Sequence, residues 1–199
     1  MVDFSLFEKT KDKILNGDIP PLRSNPYEWK QDGTLRDDTE WYYDIEKYLN
    51  EDRLNIIINE YGDLEFANLF LGKNNARLRY SHSKGEINKI LIDLIGKAHN
   101  CVCKSTGRYW YPPNGFCGWH TNSNLQFERI YAVWAEEDNK SFFRYKDEET
   151  GEIVTKWEKQ GWQINRFKPP VWHCIGSYTN RVSFGYRIIP STYKIERLK

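Results

Sequence analysis

The sequence predicts an α+β fold that is mainly β. A helical N-terminal part covers residues 1–100, a β-sandwich or barrel covers 101–190, a tail covers 191–199, and all three belong to one domain. Three observations carry this. The 199 residues fall in the range of one domain with a sizeable core. Aromatics make up 16% of the chain, with eight Trp and thirteen Tyr, which is too much ring for a linker and suits β-rich packing. The hydrophobic period changes near residue 101, from helical spacing before it to short β-prone runs after it.

In the first part, Phe4, Phe7 and Ile14 can share one helix face within residues 4–16. A polar stretch with Pro20, Pro21 and Pro26 then reads as a loop or wrapping arm. Residues 39–60 read as helix broken near Asn50, with Asp38 or Thr39 as its cap. Residues 63–71 and 85–100 are further helix candidates. In the latter, Ile87, Ile90, Leu91, Leu94 and Ile95 form a core-facing stripe.

In the second part, β-prone runs span 101–104, 107–111, 116–121, 127–135, 141–146, 152–157, 161–167, 171–175 and 181–189. Turn signals separate them, among them Pro112-Pro113-Asn114-Gly115 and Thr179-Asn180, and Thr150-Gly151-Glu152-Ile153 marks a hairpin.

Twenty-nine basic residues against 28 acidic ones leave a net charge of +1, so charge does not imply a nucleic acid or an anionic membrane as partner. No apolar run approaches the roughly 18 residues of a membrane span. The start, MVDFSLFEKTKDK, lacks an apolar signal core, so the expected location is cytoplasmic. Four cysteines, Cys101, Cys103, Cys117 and Cys174, read as free thiols. P-loop, GxGxxG and GxSxG motifs are absent.

The chemistry concentrates in the β part. Of the four histidines, His82 and His99 have no partner nearby in sequence. His120 and His173 each follow a Trp at a strand end, 53 positions apart. Residues two apart on a strand share a face, which would put His120 and Asn122 on one side. Two inward imidazoles can hold a metal, or they can be core histidines bonded to carbonyls. Cys117 and Cys174 would complete a Cys2His2 set, but neighbouring strand residues point to opposite faces, which argues against it. Arg181 and Ser183 alternate on an otherwise apolar strand. A buried guanidinium needs an anion, and a fork beside a hydroxyl suits a carboxylate; the alternative is a surface arginine on an edge strand.

The order His120-x-Asn122, His173, then Arg181-x-Ser183 eight positions later resembles the iron(II)- and 2-oxoglutarate-dependent oxygenases over about residues 100–190. The run 161–167 ahead of Trp172-His173 resembles the strand that leads to the distal histidine in that superfamily. The resemblance implies a double-stranded β-helix, or jelly roll, preceded by helices. It implies Fe(II) held by His120, Asn122 and His173, and 2-oxoglutarate as co-substrate with its distal carboxylate on Arg181 and Ser183. Tyr111, nine residues before His120, matches a tyrosine that bonds the co-substrate carboxylate in the demethylating branch, and Tyr109 shares its face. The resemblance also implies dioxygen as the second co-substrate and a C–H bond as the target. Protein side chain, nucleobase and small molecule all remain open as substrate.

Asn122 stands where the family carries Asp or Glu. An amide oxygen binds a hard cation more weakly than a carboxylate does. One reading makes Asn122 a weak ligand or the partner of a metal-bound water. The site can instead use two histidines alone, as in the aspartyl/asparaginyl β-hydroxylase branch or, with a small residue at that place, the halogenases. The third reading is a non-catalytic cupin-like binding or structural module that has lost its iron.

Overall fold

The computed structural model describes residues 4–16, 45–61, 89, 92–93, 95–97, 100–122, 127–169 and 171–190. The calls on the proline stretch, the Asp38 or Thr39 cap, 63–71, Ile87, Ile90, Leu91 and Leu94, His82, His99 and the tail lie outside them. Among the described residues, helices α1 (Ser5–Leu15), α2 (Ile45–Leu49) and α3 (Glu51–Tyr61) precede eight strands. The strands are β1 (Cys101–Tyr111), β2 (Gly115–His120), β3 (Arg129–Ala135), β4 (Ser141–Lys146), β5 (Ile153–Trp157), β6 (Gly161–Phe167), β7 (His173–Ser177) and β8 (Arg181–Pro190). They form two four-stranded sheets ordered β1-β8-β3-β6 and β2-β7-β4-β5, with every pairing antiparallel. Consecutive strands thus fall in different sheets except across the β4–β5 hairpin, and the fold is a jelly roll. The two runs read at 101–104 and 107–111 are one strand, irregular between Ser105 and Gly107.

Each sheet is covered by helix on its outer face. Phe7 and Ile14 of α1 pack on Ala132, Val182, Phe184 and Tyr186, with Ile92 and Ile95 beside them. Ile45, Leu49, Leu54 and Ile57 of α2 and α3 pack on Phe116, Trp119, Phe142, Trp172 and Cys174 of the other sheet. The break at Asn50 has a local cause: its Oδ1 accepts from the Arg53 amide at 2.8 Å and caps α3, while its carbonyl accepts from Trp119 Nε1 at 3.0 Å. Arg144 of β4 pins α2, donating to the Leu49 carbonyl at 2.7 Å and to Glu46 at 3.0 Å. Both apolar clusters therefore lie outside the sandwich. The space between the sheets holds a mixed set of aromatic and polar side chains, which positions the site.

Candidate metal and anion site

Between the sheets lies a cavity of about 610 Å³. Its walls carry Tyr109, Tyr111, Cys117, His120, Asn122, Arg129, Tyr131, Phe143, Phe167, His173, Arg181 and Ser183, so the residues of the metal and anion sites expected from the sequence line one space.

His120 and His173 are direct cross-strand neighbours, with ring centroids 4.2 Å apart. A register shift makes this possible. Cys117 pairs with Ile175 and His120 with His173, so β2 spends three steps where β7 spends two. This bulge reverses the alternation of β2. Trp119 turns outward into the helix-covered core, and Cys117 and His120 both face the cavity.

Both imidazoles are held the same way. His120 Nδ1 donates to the Gly118 carbonyl at 2.8 Å, and His173 Nδ1 donates to the Val171 carbonyl at 2.8 Å. Each bond fixes a tautomer whose Nε2 carries a lone pair. His173 is 1% exposed, and Phe143 and Phe167 pack against its ring at 5.3 and 4.8 Å. Burial, then the neighbouring His120, holds its pKa well below the usual histidine value, so the ring is neutral. A metal ligand must be in that state.

Asn122 reaches the site by another route than strand alternation. Strand β2 ends at His120, and Asn122 adopts φ +64°, a left-handed conformation that asparagine tolerates. Its Nδ2 donates to His173 Nε2 at 3.0 Å. A half-turn of the amide would present oxygen in place of nitrogen at the same spot. Two imidazoles and a short amide suit a divalent metal with open positions. Among the described residues no cluster of three His, Cys, Asp or Glu side chains supplies an acidic ligand. The Cys2His2 set is ruled out by geometry: Cys117 Sγ lies 3.7 Å from His120 Nδ1, while Cys174 faces the α2–α3 core.

Arg181 points inward beside Ser183, but the carboxylate that completes it belongs to the chain. Arg181 Nε and Nη2 donate to Glu158 Oε2 and Oε1 at 2.7 and 2.8 Å, with both side chains buried. Ser141 Oγ and Asn165 Nδ2 add bonds to Glu158 at 2.6 and 3.3 Å. The Arg181 guanidinium lies 5.0 Å from the Tyr111 ring centre. Burial works against the charge of Arg181, and Glu158 more than offsets it, so its pKa stands above the ordinary value. The fork that the resemblance gives to a co-substrate carboxylate holds Glu158 here, so an incoming acid would have to displace a buried carboxylate. Glu158 had no sequence signal beyond a lone acid in the Trp157–Gly161 turn. Arg129 had one, because it alternates with Tyr131 and Val133 on β3, the face opposite Ile130 and Ala132.

No family model and no curated protein sequence matches the chain. Similar solved structures include a prolyl-4-hydroxylase from Pseudomonas putida (11% identical, 59% of this chain and 74% of that one, TM-score 0.43). Another is AviO1 from Streptomyces viridochromogenes (13%, 72% and 82%, TM-score 0.41). A third is a cupin domain from Bordetella pertussis (19%, 43% and 80%, TM-score 0.32).

Proposed function

We propose that the chain is an Fe(II)- and 2-oxoglutarate-dependent oxygenase built on a two-histidine metal site. The observation that carries this is the His120–His173 pair: adjacent rings, both Nδ1 atoms fixed by backbone carbonyls, both facing one cavity. His120 and His173 would hold the metal, with the Asn122 amide oxygen as a third, uncharged donor. When bound, iron with 2-oxoglutarate and dioxygen supplies the oxidising power to hydroxylate a C–H bond, with succinate and carbon dioxide as by-products. The protein's part is binding and orientation. The Gly118 and Val171 carbonyls hold the imidazoles in register, and Phe143 and Phe167 shield His173 from water. The phenol-lined wall of Tyr109, Tyr111 and Tyr131 offers flat surface and hydrogen bonds to a small acid.

A second reading has one observation in its favour. Asn122 Nδ2 occupies the His173 Nε2 lone pair, which suits a non-catalytic jelly-roll module. The two readings separate on succinate formation. Protein loaded anaerobically with Fe(II) and 2-oxoglutarate, then exposed to oxygen, should release succinate, and His173→Ala should not. A wild-type protein that binds iron and 2-oxoglutarate yet yields no succinate above that variant, with any substrate class offered, rejects the oxygenase reading in favour of the module.

A further inference from the structure

We infer that Arg129, with Arg187 beside it, is the cavity's receptor for the carboxylate of a small organic acid. The inference rests on the oxygenase reading only in taking this cavity as the working site.

Arg129 is 4% exposed and lines the cavity. Its Nε is buried and has no hydrogen-bond partner among the described residues. Arg187 lies directly opposite it across the β3–β8 ladder, and its Nε is also buried and unpartnered there. Like charges directly opposite on neighbouring strands repel, and a buried cation without an anion is costly. Of the described carboxylates at or beside the cavity, Glu148 and Glu149 sit exposed in the β4–β5 turn, and the others are engaged elsewhere. Glu158 is held by Arg181, Ser141 and Asn165. Glu128, next in sequence, accepts from Arg166 at 2.9 and 2.8 Å. Asp147 accepts from the amides of Glu149 and Thr150 in its own turn.

The contrast with Arg181 decides the assignment. Both guanidiniums face the space between the sheets, but one has an internal carboxylate in its fork and the other has none among the described residues. The Arg129 fork is the place a ligand's carboxylate would take. The walls beside Arg129 favour a flat group: Tyr131 and Phe167, adjacent to it on β3 and opposite it on β6, stack with centroids 5.7 Å apart and planes 9° apart. A planar carboxylate meets a guanidinium in two parallel bonds. Burial, then Arg129, lowers the Arg187 pKa, as an uncompensated cationic pair should.

The test uses full-length protein without metal, titrated calorimetrically with succinate, 2-oxoglutarate and inorganic phosphate. Wild type, Arg129→Met and Arg129→Lys are compared, and Co(II) binding is followed in parallel by its visible spectrum. Wild type should bind both dicarboxylates. Arg129→Met should bind them at least about tenfold more weakly, the loss of a charge-assisted fork. Arg129→Lys should recover part of the affinity, because it keeps the charge and loses the fork. Without ligand, Arg129→Met should unfold at a temperature no lower than wild type, because it removes an unpaired buried cation. A merely structural arginine would lower it.

Unchanged dicarboxylate affinity in Arg129→Met overturns the assignment, as does a wild type that binds neither acid. Phosphate binding tighter than both overturns the carboxylate class. Arg129-dependent dicarboxylate binding in a protein that takes up no Co(II) sustains the receptor while rejecting the metal site, so the two failures are distinguishable.

Discussion

Arg181 and Glu158 clamp the two sheets together: a guanidinium from β8 and a carboxylate just past β5 meet in a two-bond fork, 2.7 and 2.8 Å long, with side-chain exposures of 4% and 3%. Ser141 and Asn165 complete the carboxylate's bonds, so the pair is fully satisfied at one end of the cavity.

Breaking this pair should be costly on either side. Arg181→Met or Glu158→Gln leaves one buried charge alone, and each should lose about 3–5 kcal/mol of stability. The double variant Arg181→Met/Glu158→Met should recover much of that, because no charge is stranded. Urea unfolding of the three variants checks it. A double variant as unstable as the sum of the singles would deny the coupling.

Asn122 decides how tightly a metal is held. Asn122→Asp places a charged oxygen beside His173, and divalent-metal affinity should rise at least about tenfold. Metal titration of the two proteins side by side reads this out. Equal affinities would place residue 122 outside the metal's reach.

Gly176 of β7 lets the helical cover close on the sheet. A Cβ there would come within 2.7 Å of the Phe142 ring and 3.0 Å of Leu49 Cδ1. Gly176→Ala should cost about 1–3 kcal/mol by forcing α2 and Phe142 apart. A thermal unfolding midpoint equal to wild type would show that α2 is not seated as described.

Glu136 predicts a pH dependence. It accepts from Thr179 Oγ1 at 2.9 Å and from the Asn180 amide and Nδ2 at 3.1 and 2.9 Å. The Thr179 bond first, then those from Asn180, hold its pKa below the usual carboxylate value. A depressed acid contributes stability that is present above the unfolded pKa and lost as pH falls through the folded one. The stability gap between wild type and Glu136→Gln should therefore be widest near pH 7 and close below about pH 4. A gap that stays constant between pH 7 and pH 3.5 would assign Glu136 a role other than its charge.

Much of the frame was legible because strands and turns leave local marks. The runs at 141–146 and 161–167 match β4 and β6 to the residue, and the Asn50 break falls between α2 and α3. The gathering of His120, His173, Arg181 and Ser183 was also legible, through the order of short motifs. Three features were not. The bulge in β2 leaves no compositional signature, yet it alone turns His120 to the same side as Cys117. Asn122 shares the cavity with His120, but not by strand alternation, since the residue sits past the strand in a left-handed turn. Charge pairing across sheets is a tertiary fact. Two buried arginines look alike in sequence, and only the fold gives Glu158 to Arg181 and, among the described residues, no carboxylate to Arg129.

The central claim is that His120 and His173 hold one metal ion in this cavity. Anaerobic titration with Fe(II) followed by 2-oxoglutarate, read at the weak visible charge-transfer band of the chelate, tests it most directly. Wild type should bind one iron per chain and develop the band, and His120→Ala and His173→Ala, checked as folded, should each lose it. Folded wild-type protein that binds no iron, or histidine variants that bind it as well as wild type, would contradict the account.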